Sequence, residues 1–251
     1  MSQKVDLRNV VERDLRELAE RIGPRPTGSA GNREAAAYIR ERFSEGGLQV
    51  ETQEFDALDW KPAGCEFSAS SRSRSIEAQI NPYSPPCSLR APASIFTSLD
   101  ELEAAPQLAG RIAVLDGEFV SGQIMPKNFV FYNPEEHQKL NRLLEEKRPA
   151  AMIAVEQSDH DIGDQTAPRG AKPAGPPIFA DGDLKIPSLT VPAREREKLR
   201  AAVDGELSLR IESETEATTG ENVIARIQPG APSKIVVVAH FDTWFDTPGA
   251  M

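Results

Sequence analysis

Lys234–Met251 reads KIVVVAHFDTWFDTPGAM. Ile235–Ala239 is apolar throughout and mostly β-branched, with no polar alternation. Such a run predicts a strand buried on both faces, the centre of an α/β sheet. His240 and Asp242 follow at its carboxyl end, where open α/β sheets bind their ligands. Residues i and i+2 of a strand share a face, so Asp242 is expected beside His240. A carboxylate that accepts from one ring nitrogen fixes the tautomer and turns the other nitrogen toward a metal. Taken alone, the pair also fits a satisfied histidine in a surface loop. A central strand needs helices over both faces, and no helix is predicted after His240. The chain is therefore expected to continue beyond Met251.

The rest of the composition sets the frame. The chain has 251 residues, 39% hydrophobic and 27% charged, with a net charge of −10. These are ordinary values for a folded globular chain, and the length allows one large or two modest domains. The acidic balance argues against a nucleic-acid or anionic-membrane partner. No apolar run approaches the roughly 18 residues that cross a bilayer. The polar start, MSQKVDLRNVVERDLRE, has no apolar segment of a secretory signal, so the expected location is cytoplasmic. Cys65 and Cys87 lack CxxC spacing and are expected to be reduced thiols.

Helical spacing of Val10, Val11, Leu15, Leu18, Ala19 and Ile22 predicts a first helix, capped by Asp6 or Asn9 and ended by Gly23-Pro24. RPTGSAGN, Arg25 to Asn32, reads as a loop and helix cap. Ala36, Ile39 and Phe43 mark the inner face of a second helix ended by Gly46-Gly47. LQVETQEF, 48–55, reads as a strand. From about Ala57 prolines and serines cluster, and short strands are expected in CEFSAS, SIEAQI and GRIAVLDG. A charged helix over Glu135–Lys147 should turn Leu140, Leu143 and Leu144 inward. AAMIAVE, 150–156, and IPSLTVP, 186–192, read as strands, with a loop over 157–183 between them. A helix over AREREKLRAAV and an alternating strand over ELSLRIES, 206–213, close this block. ENVIARI, 221–227, is a further strand before the final run. The expected domains are 1–57 and 216–251 as parts of one domain, split by an inserted β-rich domain over 58–215.

HFDTWFDTPGAM resembles the first metal motif of the co-catalytic zinc aminopeptidases, number 28 among metallopeptidase families. That motif runs H-x-D-[ST], a short loop, G-A and an aspartate; His240, Asp242, Thr243, Gly249 and Ala250 match it. Ile22–Asn32, IGPRPTGSAGN, resembles the family's early loop. Leu108–Asp116 and Ile186–Val191 resemble hallmark segments of the protease-associated domain that many members insert. The resemblance implies a mixed α/β zinc-peptidase sheet, incomplete over this length, plus that inserted domain. It implies hydrolysis at peptide termini by a water activated between two Zn2+ ions, with a peptide as substrate and the homo-oligomeric state left open. His240 would be a ligand of one zinc and Asp242 its orienting partner in catalysis. The remaining ligands and the general base have no counterpart in these residues, so the 251-residue chain is expected to be inactive alone.

Other candidates carry less. DHDIGD, Asp159 to Asp164, surrounds His160 with carboxylates but lacks EF-hand spacing, and is read as a solvated loop. His137 is read as a surface residue. No GxGxxG, P-loop lysine or G-x-S-x-G pattern is present. Two rivals remain: a related metallo-dipeptidase or deacylase, and a non-catalytic binding protein with a degenerate peptidase part.

Overall fold

A computed structural model describes residues 7–69, 74–130, 132–159, 183–228, 230, 233 and 235–243. The chain divides into two compact units, Met1–Asp59 with Glu216–Met251, and Trp60–Thr215. No described helix is long and apolar enough to cross a membrane.

In the first unit, α1 (Leu7–Leu15) runs into a π-helical turn, Arg16–Ile22. One continuous helix was the expectation. The π turn ends where the Gly23 N–H donates to Leu18 O at 3.1 Å, an i to i−5 closure, with Gly23 at φ 72°. The expected inner stripe is partly covered: Val10, Leu18, Ala19 and Ile22 are half-buried, while Val11 is 54% and Leu15 48% exposed. Asn9 lies inside α1 rather than capping it, and Asp6 lies outside the described residues. α2 (Ala30–Glu45) starts at Ser29, whose hydroxyl accepts from the Asn32 N–H at 3.1 Å. Ala35 and Ala36 are fully buried, while Ile39 and Phe43 are half-buried. Tyr38 donates to Asp14 at 2.6 Å, tying α2 to α1.

The strands expected at 48–55 and 221–227 are each one end of a 21-residue strand, β1 (Gln49–Ala69) and β8 (Glu206–Arg226). These two are neighbours in the sheet. Pro62 does not interrupt β1, because the described pairing with β2 (Arg74–Ser75) reaches only Ser68 and Ala69. At Pro62 β1 is thus an edge on that side, where a missing N–H is tolerated. Gly220 of β8 lies under the Phe55 ring, which a Cβ would meet at 2.5 Å.

Ile235–Ala239 departs from expectation. It forms no strand, and Ile235, Val236, Val237 and Val238 are 95%, 78%, 90% and 86% exposed. Composition alone does not bury a run: a central strand needs a ladder on each side, and no described strand lies alongside this one.

The second unit holds β3 (Gln79–Ile80), β4 (Cys87–Phe96), β5 (Ile112–Leu115), β6 (Ala151–Val155) and β7 (Ser188–Val191), with the inner ends of β1 and β8. Sheet order among the described strands is β2-β1-β8-β4-β5-β6-β7-β3. β4 to β7 are mutually parallel; β8 and β3 flank them antiparallel. β5, β6 and β7 are buried along their whole length; β5 and β6 are unalternating apolar runs, which such burial suits, while β7 also buries the polar Ser188 and Thr190. One face carries Ile112, Val114, Ile153, Leu189 and Leu209. The other, with Ala113, Leu115, Met152 and Ala154, is covered by α3 (Leu99–Ala104) and α4 (Glu135–Lys147). Leu140, Leu143 and Leu144 of α4 point inward as their spacing predicts. α5 (Arg196–Arg200) follows a short 3-10 turn.

β4 and α3 were not foreseen. Pro92 disguises β4: it pairs with Glu206, the last rung toward β8, one residue before pairing with β5 begins at Ala93. The missing N–H falls between two ladders. Most of the loop expected at 157–183, with His160, lies outside the described residues.

Candidate functional site

The site is built by a loop and by the segment His240–Thr243. Gly23 ends the π turn, and Pro24 to Thr27 lead to the Ser29 cap of α2. This path brings Arg25 inward until it is 4% exposed. Its guanidinium donates to three main-chain carbonyls: Leu18 and Gly23, each at 2.9 Å, and Phe241 at 2.5 Å. Carbonyl dipoles replace part of the hydration a buried cation loses. Burial lowers the Arg25 pKa from its ordinary value, and the negative charge of Asp242 works in the opposite direction.

The Arg25 main chain completes the hold. Its N–H donates to Thr243 Oγ1 at 2.8 Å, and the Thr243 N–H donates to Arg25 O at 3.3 Å. Thr243 is 8% exposed. Asn32, 3% exposed, supports the loop from α2. Its Nδ2 donates to Arg25 O at 3.4 Å, and its Oδ1 accepts from the Gly28 N–H at 3.3 Å. Gly31 permits this closeness, because a Cβ there would stand 2.6 Å from Pro24 O.

His240 and Asp242 are brought together. His240 Nδ1 lies 3.5 Å from Asp242 Oδ1 and 3.1 Å from the Asp242 carbonyl. The carbonyl contact has hydrogen-bond distance; the carboxylate contact is longer. A neutral imidazole protonated at Nδ1 satisfies the carbonyl and leaves Nε2 as acceptor. The nearer orienting group is thus the Asp242 main chain, where the sequence suggested its carboxylate. The two side chains are 85% and 46% exposed.

Among the described residues no three His, Cys, Asp or Glu side chains are grouped to hold a metal. A catalytic zinc takes three protein ligands. One exposed imidazole and one carboxylate do not by themselves fit a resident zinc.

Asp116, 3% exposed, ends β5, the strand end at which α/β sheets bind ligands. Its carboxylate meets Arg196 at 3.2 Å and Arg200 at 2.9 Å and accepts from the Gly117 N–H at 2.8 Å. It is a brace to α5, closed by its own partners. His137 is half-buried rather than a surface residue: its Nδ1 accepts from the Met125 N–H at 3.1 Å. Sequence reasoning gave Arg25, Asn32 and Thr243 no role. The available signal was an arginine set between two prolines at the end of a helix, with no acidic neighbour in the loop.

The mixed α/β fold is that of the zinc aminopeptidases. The aminopeptidase from Aneurinibacillus sp. strain AM-1 matches 94% of this chain over 53% of its own length, with TM-score 0.63 and 18% identity. A peptidase M28 precursor from Shewanella amazonensis SB2B matches 92% of the chain over 54% of its length, with TM-score 0.61 and 18% identity. BSAP, a zinc aminopeptidase from Bacillus subtilis, matches 88% over 47%, with TM-score 0.56 and 19% identity. The chain spans about half the length of these solved structures. No family model matches the chain, and no curated protein matches it.

Proposed function

We propose that this chain is part of a zinc-dependent exopeptidase of the aminopeptidase kind, which removes residues from peptide ends. The observation that carries the reading is the H-x-D-T segment, held by Arg25 within a fold shared with zinc aminopeptidases. In this reading His240 is one ligand of one of two zinc ions. Asp242 and its carbonyl fix the imidazole so that Nε2 faces the metal. Zinc in such enzymes supplies an activated water and a polarised carbonyl. The residues Trp60–Thr215 are read as an inserted protease-associated module that shapes access to the cleft or binds a partner.

The test has two arms. The 251-residue polypeptide, supplied with Zn2+ and an aminoacyl p-nitroanilide, should show no turnover. Turnover by it would overturn the incompleteness of its ligand set. The product of the native locus, with whatever coding sequence adjoins it, should release N-terminal residues, lose this to a chelator, and lose it again on His240→Ala. A locus product without chelator-sensitive exopeptidase activity would end the proposal. A second reading is a non-catalytic binding protein built on the peptidase fold. A locus product with no exopeptidase activity at all would support it.

A further inference from the structure

We infer that Arg25 and Thr243 are positioning residues that set the direction of the His240 ring; the role rests on the reading of His240 as a metal ligand. Among the described residues, no upstream group is seen to hold this ring. The preceding Ile235–Val238 run is 78% or more exposed and lies in no strand. Among the described residues, the hydrogen bonds that leave Phe241–Thr243 for the rest of the chain go to Arg25.

The grip falls on alternate residues. Arg25 takes the carbonyl of Phe241 with its guanidinium and exchanges two hydrogen bonds with Thr243. The ungripped residues are His240 and Asp242, the pair whose contact orients the imidazole. Fixing the peptide groups on both sides of Asp242 fixes the Asp242 carbonyl, and that carbonyl meets His240 Nδ1 at 3.1 Å. Positional information therefore passes from Arg25 through Phe241 and Thr243 to the carbonyl of Asp242, and from there to the ring. Asn32, which also donates to Arg25 O, is the fixed point behind it. This explains why a hydroxyl stands at position 243. Serine would serve equally as acceptor for the Arg25 N–H, whereas valine has the shape of threonine without the oxygen.

The experiment is 15N and 13C NMR of the histidine rings in the 251-residue chain without metal. The chain has three histidines, and a His240→Gln spectrum assigns the third. In the unaltered chain, in alkaline buffer, the neutral His240 ring should report one dominant tautomer, protonated at Nδ1. In Thr243→Val the ring signals should move toward an average of both tautomers. Thr243→Ser should restore them, and His137 should stay unchanged in both. Arg25→Gln should have the larger effect; if it unfolds the first unit, Thr243→Val still decides. An unchanged His240 spectrum in Thr243→Val, or a change that Thr243→Ser does not reverse, overturns the inference. Because no metal is added, a locus product lacking peptidase activity would remove the zinc reading and leave this clasp intact. Unchanged ring signals beside full activity would do the reverse.

Discussion

Arg25 and Thr243, 218 positions apart in sequence, bind each other in both directions. The Arg25 N–H reaches Thr243 Oγ1 at 2.8 Å, and the Thr243 N–H reaches Arg25 O at 3.3 Å. The candidate site is thus anchored in the first thirty-odd residues of the chain, in GPRPTGSAGN, and not in the apolar run that precedes the histidine.

Gly31 has no Cβ because Pro24 O occupies the space, 2.6 Å from where the atom would be. Its backbone needs no left-handed angle, so the cost of a side chain is purely steric. Gly31→Ala should destabilise the first unit by about 1–3 kcal/mol, seen as a lower urea midpoint. Gly64→Ala, which meets open space, should change stability by less than about 0.5 kcal/mol and leave the midpoint nearly where it was. Equal midpoints would show that the loop yields freely.

Asp116→Asn keeps the volume and removes the charge shared by Arg196 and Arg200. The Asp116 side chain is 5% exposed but its partners are 25% and 46% exposed, so water screens part of the attraction. The loss should lie near the lower end of about 1.5–3 kcal/mol. Arg200→Ala in the Asp116→Asn background should then cost less than it does alone, which a double-mutant cycle measures.

The Asp14 carboxyl illustrates opposed effects. Burial raises its pKa, but the hydrogen bonds from Tyr38 and Arg13 outweigh this and leave it below its ordinary value. A depressed carboxyl stabilises the fold above its unfolded pKa of about 4. That stabilisation is lost as pH falls through the lower folded value. Tyr38→Phe removes one of the bonds responsible. The stability gap between the two proteins should be constant from about pH 5 to pH 8 and should narrow below that. A gap that widens on acidification would contradict the assignment.

Burial raises the thiols of Cys65 and Cys87; at Cys87 a hydrogen bond with the Ile211 main chain works the other way. Both are free and half-buried. Cys65 borders a groove of about 480 Å³ with Phe67, Ile76 and Arg90. The reactive species is the thiolate, so alkylation at pH 8 should be slower in the folded chain than in urea for both residues. Rapid labelling of the folded protein at Cys65 would show that the groove admits reagent and favours the anion.

What could be read from the sequence was whatever depends on neighbours along the chain. α4 obeys a 3.6-residue spacing, so Leu140, Leu143 and Leu144 announced their inward face. β6 is a short apolar run between polar stretches, and it is buried as such a run predicts. His240 does lie beside Asp242, but outside any strand and with the Asp242 carbonyl as the nearer contact. What could not be read depends on distant partners. Pro92 argues against a strand until its place between two ladders is known. The same apolarity that buries Ile153 leaves Val237 exposed, because only one of them has strands on both sides. Arg25 looks like a loop cation until the carbonyls of Leu18, Gly23 and Phe241 surround it.

The exposed Ile235–Val238 run makes the behaviour of concentrated solutions a matter of acidity. A short β-branched stretch without charge or proline is a template for pairing between molecules. Near pH 7 the net charge of −10 opposes such contact. As the pH approaches the isoelectric point of about 5.0 that mutual repulsion vanishes, and light scattering should rise steeply there. Val237→Lys, which places a charge inside the stretch, should flatten the rise.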